Sequence, residues 1–186
     1  MKKVGFLSAA VFCFLSIGIV RASEAEECKL PPPYTGSAEF QKMKGLAGTW
    51  EGADPMSPDG KLKVIYEVTS NGSAVVERMG PGTPSEMVSV YHDEKGKLAM
   101  THYCAIGNQP KLALQSASAD KIKLAFAKNN VINPKKENHM HSLGITFLGP
   151  DQVKEEWTGY MNGEQKPAIF TLTRVKEVTN ASGKGG

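Results

Sequence analysis

The sequence has no long helical pattern, no alternation of strands with helices and no repeat at the period of a solenoid. Doubly wound α/β folds, helical bundles and repeat arrays each need one of these patterns, so they do not describe this chain. What remains is a series of short runs in which apolar and polar residues alternate, separated by tight turns. This pattern is typical of an antiparallel all-β domain.

The chain also has little surplus charge. Its formal net charge is +3, and Lys2, Lys3 and Arg21 account for that excess. These residues flank an apolar run, Val4 to Val20, that ends in a small-residue cleavage pattern, as in a secretory signal peptide. We therefore predict that residues 1–22 are removed on export, that no membrane span remains, and that the protein is secreted or periplasmic. A neutral remainder gives no support for a nucleic acid or an anionic membrane as partner.

Cysteine is scarce. Of the 3 cysteines, Cys13 lies in the predicted signal peptide, which leaves Cys28 and Cys104. In an oxidising compartment a Cys28–Cys104 disulfide could join the N-terminal segment to a strand. The alternative is a free Cys104 that acts as a ligand or a nucleophile. The sequence leaves both open, because pairing depends on the separation of the Cα atoms.

The remaining chain divides into a tether, one domain and a tail. We expect residues 23–36, which include three consecutive prolines, to be extended, and residues 177–186 to be disordered. The domain, residues 37–176, begins with a short helix for which Ser37 is the candidate N-cap.

About ten strands at roughly 8–12-residue spacing complete the predicted domain. Asn71-Gly72 and Asn162-Gly163 are signals for two-residue hairpins. Because nearly every connection is hairpin-short, we predict an up-and-down barrel rather than a sandwich. A closed barrel leaves no sheet edge free, so we expect a monomer.

Two predicted strands carry histidines on the face that alternation marks as buried. In the first, His102 and Cys104 follow apolar residues at a spacing of two; in the second, His139 and His141 precede apolar residues at the same spacing. In a ten-stranded meander these strands are fifth and eighth and face each other across the lumen. Glu155 on a later strand shares a face with Trp157. The residues predicted to line one end of the lumen and to bind a ligand are His102, Cys104, Asn108, Gln109, His139, His141, Glu155 and Trp157.

Three segments carry a resemblance to a known family. Gly48-Thr-Trp50-Glu-Gly52, at the first strand, resembles the G-x-W opening of the lipocalin and wider calycin barrels. In that family the tryptophan closes the base of the barrel beneath an arginine of the last strand, and Arg174 stands at the matching place. The segment from Thr101 to Pro110 and His139-Met-His141 resemble an uncharacterised group of secreted bacterial lipocalin-like proteins, over most of residues 37–175. The resemblance implies a lipocalin-like barrel and brings no known activity.

The histidines raise the question of a metal or haem. A related haem-binding family begins with G-x-W-x-G-x-G, but Asp54 replaces the last glycine here and that family's late proximal histidine has no counterpart, so haem is not favoured. Three imidazoles and a thiolate are suitable ligands for zinc, copper or iron. The candidate metal set is His102, Cys104, His139 and His141.

We therefore expect an exported barrel that binds a small molecule in its lumen. One alternative is an enzyme that uses the same cluster, either with a metal or with Cys104 as nucleophile, a histidine as base and Glu155 as the orienting carboxylate. The other is a structural barrel whose inward histidines complete a buried polar network. The sequence does not identify the ligand or decide whether any reaction is catalysed.

Overall fold

The structure, a computed structural model, describes residues 30–54 and 59–176. The predicted signal peptide, the first part of the tether, Cys28 and the predicted tail lie outside these ranges. A structural unit begins at Pro32, and of the preceding unit only Leu30 and Pro31 are described.

Within the described residues the chain forms one short helix and ten strands. The helix is α1 (Ala38–Lys44). The strands, in chain order, are β1 (Gly48–Ala53), β2 (Lys61–Thr69), β3 (Ala74–Met79), β4 (Met87–Glu94), β5 (Lys97–Tyr103), β6 (Lys111–Ala117), β7 (Lys121–Phe126), β8 (His139–Gly149), β9 (Gln152–Met161) and β10 (Glu164–Arg174).

The strands form a closed antiparallel barrel. Each strand pairs with its neighbours in the chain, and β1 pairs with β10 to close the sheet. The prediction of an all-β antiparallel barrel of about ten strands with a short N-terminal helix is therefore confirmed. None of the helices in the described part of the chain is long and apolar enough to cross a membrane.

The two predicted hairpin turns differ in length. Asn162 and Gly163 form a two-residue turn between β9 and β10, with φ of +54° and +83°, as a type I′ turn requires. The prediction of a two-residue turn at Asn71-Gly72 is wrong. Thr69 and Ala74 are the last paired residues there, so the connection has four residues. Ser70, Asn71 and Gly72 all have positive φ, which extends the turn by two residues.

One end of the barrel is closed by α1 and by a stacked pair. Ser37 is the N-cap of α1, as predicted, and its side chain accepts a hydrogen bond from Phe40 N. Trp50 at the start of the barrel and Arg174 at its end are Cα partners, and the Arg174 guanidinium lies 4.3 Å from the centre of a Trp50 ring. Arg174 also donates to the carbonyl oxygens of Gly45 and Ala47, at 2.8 and 2.6 Å, which ties the segment after α1 to the last strand.

The longer connections lie at the opposite end. Because the strands alternate in direction, the connections β3–β4, β5–β6 and β7–β8 all meet there, and they are longer than the turns beside Trp50. We call this end the mouth of the barrel.

Candidate functional site

Four side chains form one row across neighbouring strands. The strand register pairs Tyr66 with Glu77, Glu77 with Ser89, and Ser89 with His102. Paired residues of antiparallel strands project from the same face of a sheet. Tyr66, Ser89 and His102 are each 2% exposed and Glu77 is 1% exposed, so the row lies on the inner face of β2–β5.

Two side chains of β9 reach this row across the lumen. Glu155 Oε1 accepts a hydrogen bond from the Tyr66 hydroxyl, and Glu155 Oε2 accepts one from Trp157 Nε1 at 3.0 Å. The centre of a Trp157 ring lies 4.9 Å from that of the His102 imidazole. Strand β9 is not a neighbour of β2 or β5 in the sheet, so these contacts cross the interior. The prediction that Glu155 and Trp157 point inward is confirmed.

Two further hydrogen bonds connect the row. The Tyr91 hydroxyl donates to Glu77 Oε2 at 2.5 Å, and Ser89 Oγ lies 3.0 Å from His102 Nδ1. We call the whole set the polar layer; its members are Tyr66, Glu77, Ser89, Tyr91, His102, Glu155 and Trp157.

Ionisation of the two carboxyl groups of the polar layer is unfavourable because both are buried and they lie close together. Burial raises the pKa of Glu155; burial, and secondly the proximity of Glu155, raise the pKa of Glu77 well above its ordinary value. Two buried carboxylates close together do not both ionise readily. Hydrogen bonds favour the charged form of each carboxyl: Tyr66 and Trp157 act on Glu155, and Tyr91 and Ser89 act on Glu77.

No positive group in the described part of the chain is paired with either carboxyl: neither Glu77 nor Glu155 forms an ion pair with a lysine or arginine there. Burial lowers the pKa of His102 to about 4, so the imidazole beside Ser89 is neutral at neutral pH. A carboxylate in the polar layer would therefore be supported, among the described residues, only by neutral hydrogen-bond donors.

Two buried atoms of the polar layer, Glu77 Oε1 and His102 Nε2, have no hydrogen-bond partner among the described residues. An unpaired buried polar atom costs about 1–3 kcal/mol, and native proteins keep few of them. The polar layer therefore has unused hydrogen-bonding capacity within the barrel.

A cavity of about 910 Å³ lies at the mouth. Its apolar lining includes Leu62, Met79, Met87 and Phe170, and charged side chains of both signs, such as Lys61 and Glu51, also line it. Met79 and Met87 are Cα partners, and they follow or precede Glu77 and Ser89 by two residues on the same strands. The mouth cavity thus lies one layer of side chains above the polar layer.

The histidines of β8 do not join the polar layer. The register of β8 against β9 shifts between Met140 and Ser142, so His141 has no Cα partner there. This β-bulge interrupts the alternation on which the inward prediction depended. His139 pairs with Tyr160 rather than with the inward residues, and its ring stacks on the Tyr160 ring at 5.5 Å.

His139 and His141 instead form a separate aromatic group. His139 Nε2 lies 3.1 Å from His141 Nδ1, and the Phe126 ring lies 4.7 Å from the first imidazole and 5.4 Å from the second. His139 is fully buried in this group, whereas His141 is partly exposed. The predicted common cluster of three histidines is therefore not formed.

Cys104 lies just beyond the end of β5 at Tyr103, at the mouth of the barrel and outside the polar layer. Cys104 begins a turn in which Gly107 N donates to its carbonyl oxygen at 2.9 Å. Its side chain is partly exposed and its Sγ lies 4.0 Å from Met87 Sδ. Cys104 forms no disulfide with another described residue, and the predicted partner Cys28 lies outside the described residues.

Asn108 and Gln109 contact the loops of the mouth rather than the histidines. Asn108 Nδ2 donates to the carbonyl oxygen of Asn138 at 2.6 Å, which joins the β5–β6 and β7–β8 connections. Gln109 Nε2 donates to Gly107 O at 3.2 Å. Both residues act on loop shape in this structure.

The candidate metal ligands are divided among three places. His102 lies in the polar layer, Cys104 in a turn, and His139 and His141 beside Phe126. In residues 30–54 and 59–176 no group of three His, Cys, Asp or Glu side chains has a metal-binding arrangement. Nor does Cys104 hydrogen-bond a described histidine, as a nucleophile and its base must.

No protein-family model matches the chain, and no curated protein matches it either. Functional inference therefore depends on the geometry of the polar layer and the mouth cavity.

Sequence reasoning did not single out Glu77, Ser89 or the tyrosines as site residues. The signal was present for Glu77, because it alternates with Val75 and Met79 on the buried face of β3. A glutamate on an apolar strand face is rarely left buried without a partner or a role.

Proposed function

We propose that this protein is a small-molecule-binding barrel whose ligand enters through the mouth cavity and is oriented by the polar layer. The observation that carries the proposal is the pair of buried, unpartnered atoms, Glu77 Oε1 and His102 Nε2. A ligand that hydrogen-bonds both would remove the cost of leaving them unpaired.

The mouth cavity supports this proposal. Ligand cavities in proteins are typically about 300–1,000 Å³, mostly apolar, with a few polar groups that orient the ligand. The cavity here has that size, and its lining includes methionines, whose flexible thioethers adapt to a ligand.

A purely structural role for the polar layer is less well supported. A network that serves only to stabilise a core gains most when all its members are paired, and a partly satisfied network is costly. For the enzyme alternative, the described residues show no cysteine hydrogen-bonded to a histidine. Binding is the function that best fits an incomplete polar network beneath a wide cavity.

We also propose that the barrel is lipocalin-like and exported. The up-and-down order of the strands and the Trp50–Arg174 stack at the base support the first part. The apolar run and cleavage pattern in residues 1–22 of the sequence support the second.

The proposal can be tested with protein purified from its export compartment. Native mass spectrometry should detect a bound organic compound. Titration of that compound into the stripped protein should change the fluorescence of Trp157, read in a Trp50→Phe variant that leaves it as the single tryptophan. The additional change Trp157→Phe should abolish the response. A bare protein that also gives no response to a compound library would refute the proposal.

A further inference from the structure

We infer that the ligand is a cation, namely a small organic ammonium compound whose charged group lies against Glu77 and Glu155 and whose apolar part occupies the mouth cavity. This inference rests on the proposed function and adds the chemical class of the ligand.

The first argument is that the polar layer contains two buried carboxyl groups and that no described lysine or arginine pairs with either. The polar partners that the described residues supply to this layer are neutral: the tyrosines of β2 and β4, Ser89, the imidazole of β5 and the Trp157 indole. A buried carboxylate is expensive unless a cation is paired with it. Since the described residues supply none, a cationic ligand would complete the pair.

The second argument is the kind of hydrogen bond that is missing. Glu77 Oε1 accepts hydrogen bonds when the carboxyl is ionised, and His102 Nε2 accepts one when the ring proton sits on Nδ1 and is donated to Ser89 Oγ. A primary ammonium has three donors and no acceptor, which matches His102 Nε2 and, once Glu77 has lost its proton, Glu77 Oε1. A carboxylate or phosphate ligand would instead bring like charge towards Glu155.

The third argument is the aromatic content of the polar layer. Trp157, Tyr66 and Tyr91 are all buried in it. A cation within about 6 Å of an aromatic ring gains further attraction from the face of that ring, and Trp gives the strongest effect. Carboxylates and aromatic rings together favour an organic ammonium over a strongly hydrated metal ion.

The inference is tested with three probes of equal chain length: hexylamine, hexanol and hexanoate. Isothermal titration calorimetry on the mature protein at neutral pH should show hexylamine binding at least about tenfold more tightly than hexanol, because charge-assisted hydrogen bonds are the stronger ones. Hexanoate should bind most weakly.

The pH dependence provides a second readout. Because burial and Glu155 hold the pKa of Glu77 well above its ordinary value, ammonium binding should favour the ionised carboxyl and release protons to the buffer. Hexylamine affinity should therefore rise with pH, whereas hexanol affinity should stay constant.

A matched pair of variants tests whether the Glu77 carboxyl causes the preference for hexylamine. Glu77→Gln keeps the shape of the side chain and should remove the preference for hexylamine over hexanol. The control is Glu156→Gln, at the residue after Glu155. It removes a surface carboxylate that pairs with Lys121 and Lys154, and it should leave the preference for hexylamine over hexanol unchanged. Circular dichroism establishes that each variant is folded, and the wild-type probe series decides the question if Glu77→Gln does not fold.

The outcomes separate this inference from the proposed function. If hexanol or hexanoate binds as tightly as hexylamine, the ligand is not selected as a cation, and binding in the lumen still stands. If none of the probes binds but native mass spectrometry finds an organic compound, the inference of an ammonium ligand is refuted and the proposed binding function is not. If the protein is also bare, both fail.

Discussion

Replacing His102 with glutamine should remove the acid sensitivity that its buried imidazole gives to the fold. Burial lowers the pKa of His102 from 6.5 to about 4, because the ring lies between Ser89 and Trp157 without access to water. The unfolded chain takes up a proton on this ring in a pH range where the folded chain does not. Protonation therefore favours unfolding.

The magnitude follows from the two pKa values. A histidine whose folded pKa is depressed contributes stability that is present above its unfolded pKa and is lost as the pH falls towards the folded one. For values of 6.5 and about 4 the loss is about 2 kcal/mol near pH 5 and about 3 kcal/mol near pH 4. Glu77 and Glu155 act in the opposite direction, because their pKa values are raised: their contribution is greatest at low pH and is lost as the pH rises.

Comparison of variant and wild type separates these effects. Urea unfolding of both proteins at several pH values between about 7.5 and about 4 gives the free energy of unfolding at each pH. The wild type should lose about 3 kcal/mol relative to His102→Gln over that range. His92→Gln, which changes a partly exposed histidine of β4, is the control and should keep the wild-type profile. Parallel profiles for wild type and His102→Gln would refute the reasoning.

Two further predictions concern the lumen and the turns. Tyr66→Phe removes one of the two hydrogen bonds to the buried Glu155 carboxyl and should lower the free energy of unfolding by about 1–3 kcal/mol, measured in urea at neutral pH. An unchanged value would mean that this hydrogen bond does not stabilise the polar layer. Gly163→Ala should cost about 1–2 kcal/mol, because φ is +83° there although no atom lies within 4 Å of the new Cβ. Gly149→Ala has the same free space without the positive φ and should cost clearly less in the same assay, so equal losses would contradict the turn argument.

Much of the barrel could be predicted because its causes are local. Alternation along each strand depends only on which side chains must be buried, and a turn such as Asn162-Gly163 depends on residues that tolerate positive φ. The same local reasoning placed Glu155 and Trp157 on the inner face correctly. Local reasoning did not predict the extra length of the turn at Asn71, because a serine such as Ser70 does not by itself indicate the left-handed conformation that it adopts.

The candidate site was predicted less well, because alternation holds only while the register is continuous. The bulge at His141 moves His139 away from the residues of the lumen, and the end of β5 at Tyr103 leaves Cys104 in a turn. Nothing in the two residue runs themselves marks either interruption. A shift of one residue in register reverses the facing of every side chain beyond it.

The sequence by itself determined the class of fold and the number of strands to within the stated approximation. The stack of Arg174 on Trp50 was expected from the resemblance of Gly48–Gly52 to the opening of other barrels. Only the tertiary structure decided which inward side chains meet. Tyr66 and Glu155 are far apart in the chain and lie on strands that are not neighbours, so their contact depends on closure of the barrel across the lumen. Periodicity predicts which face of the sheet a side chain occupies. Its partner on the opposite wall of the barrel depends on the register of every strand that lies between the two residues.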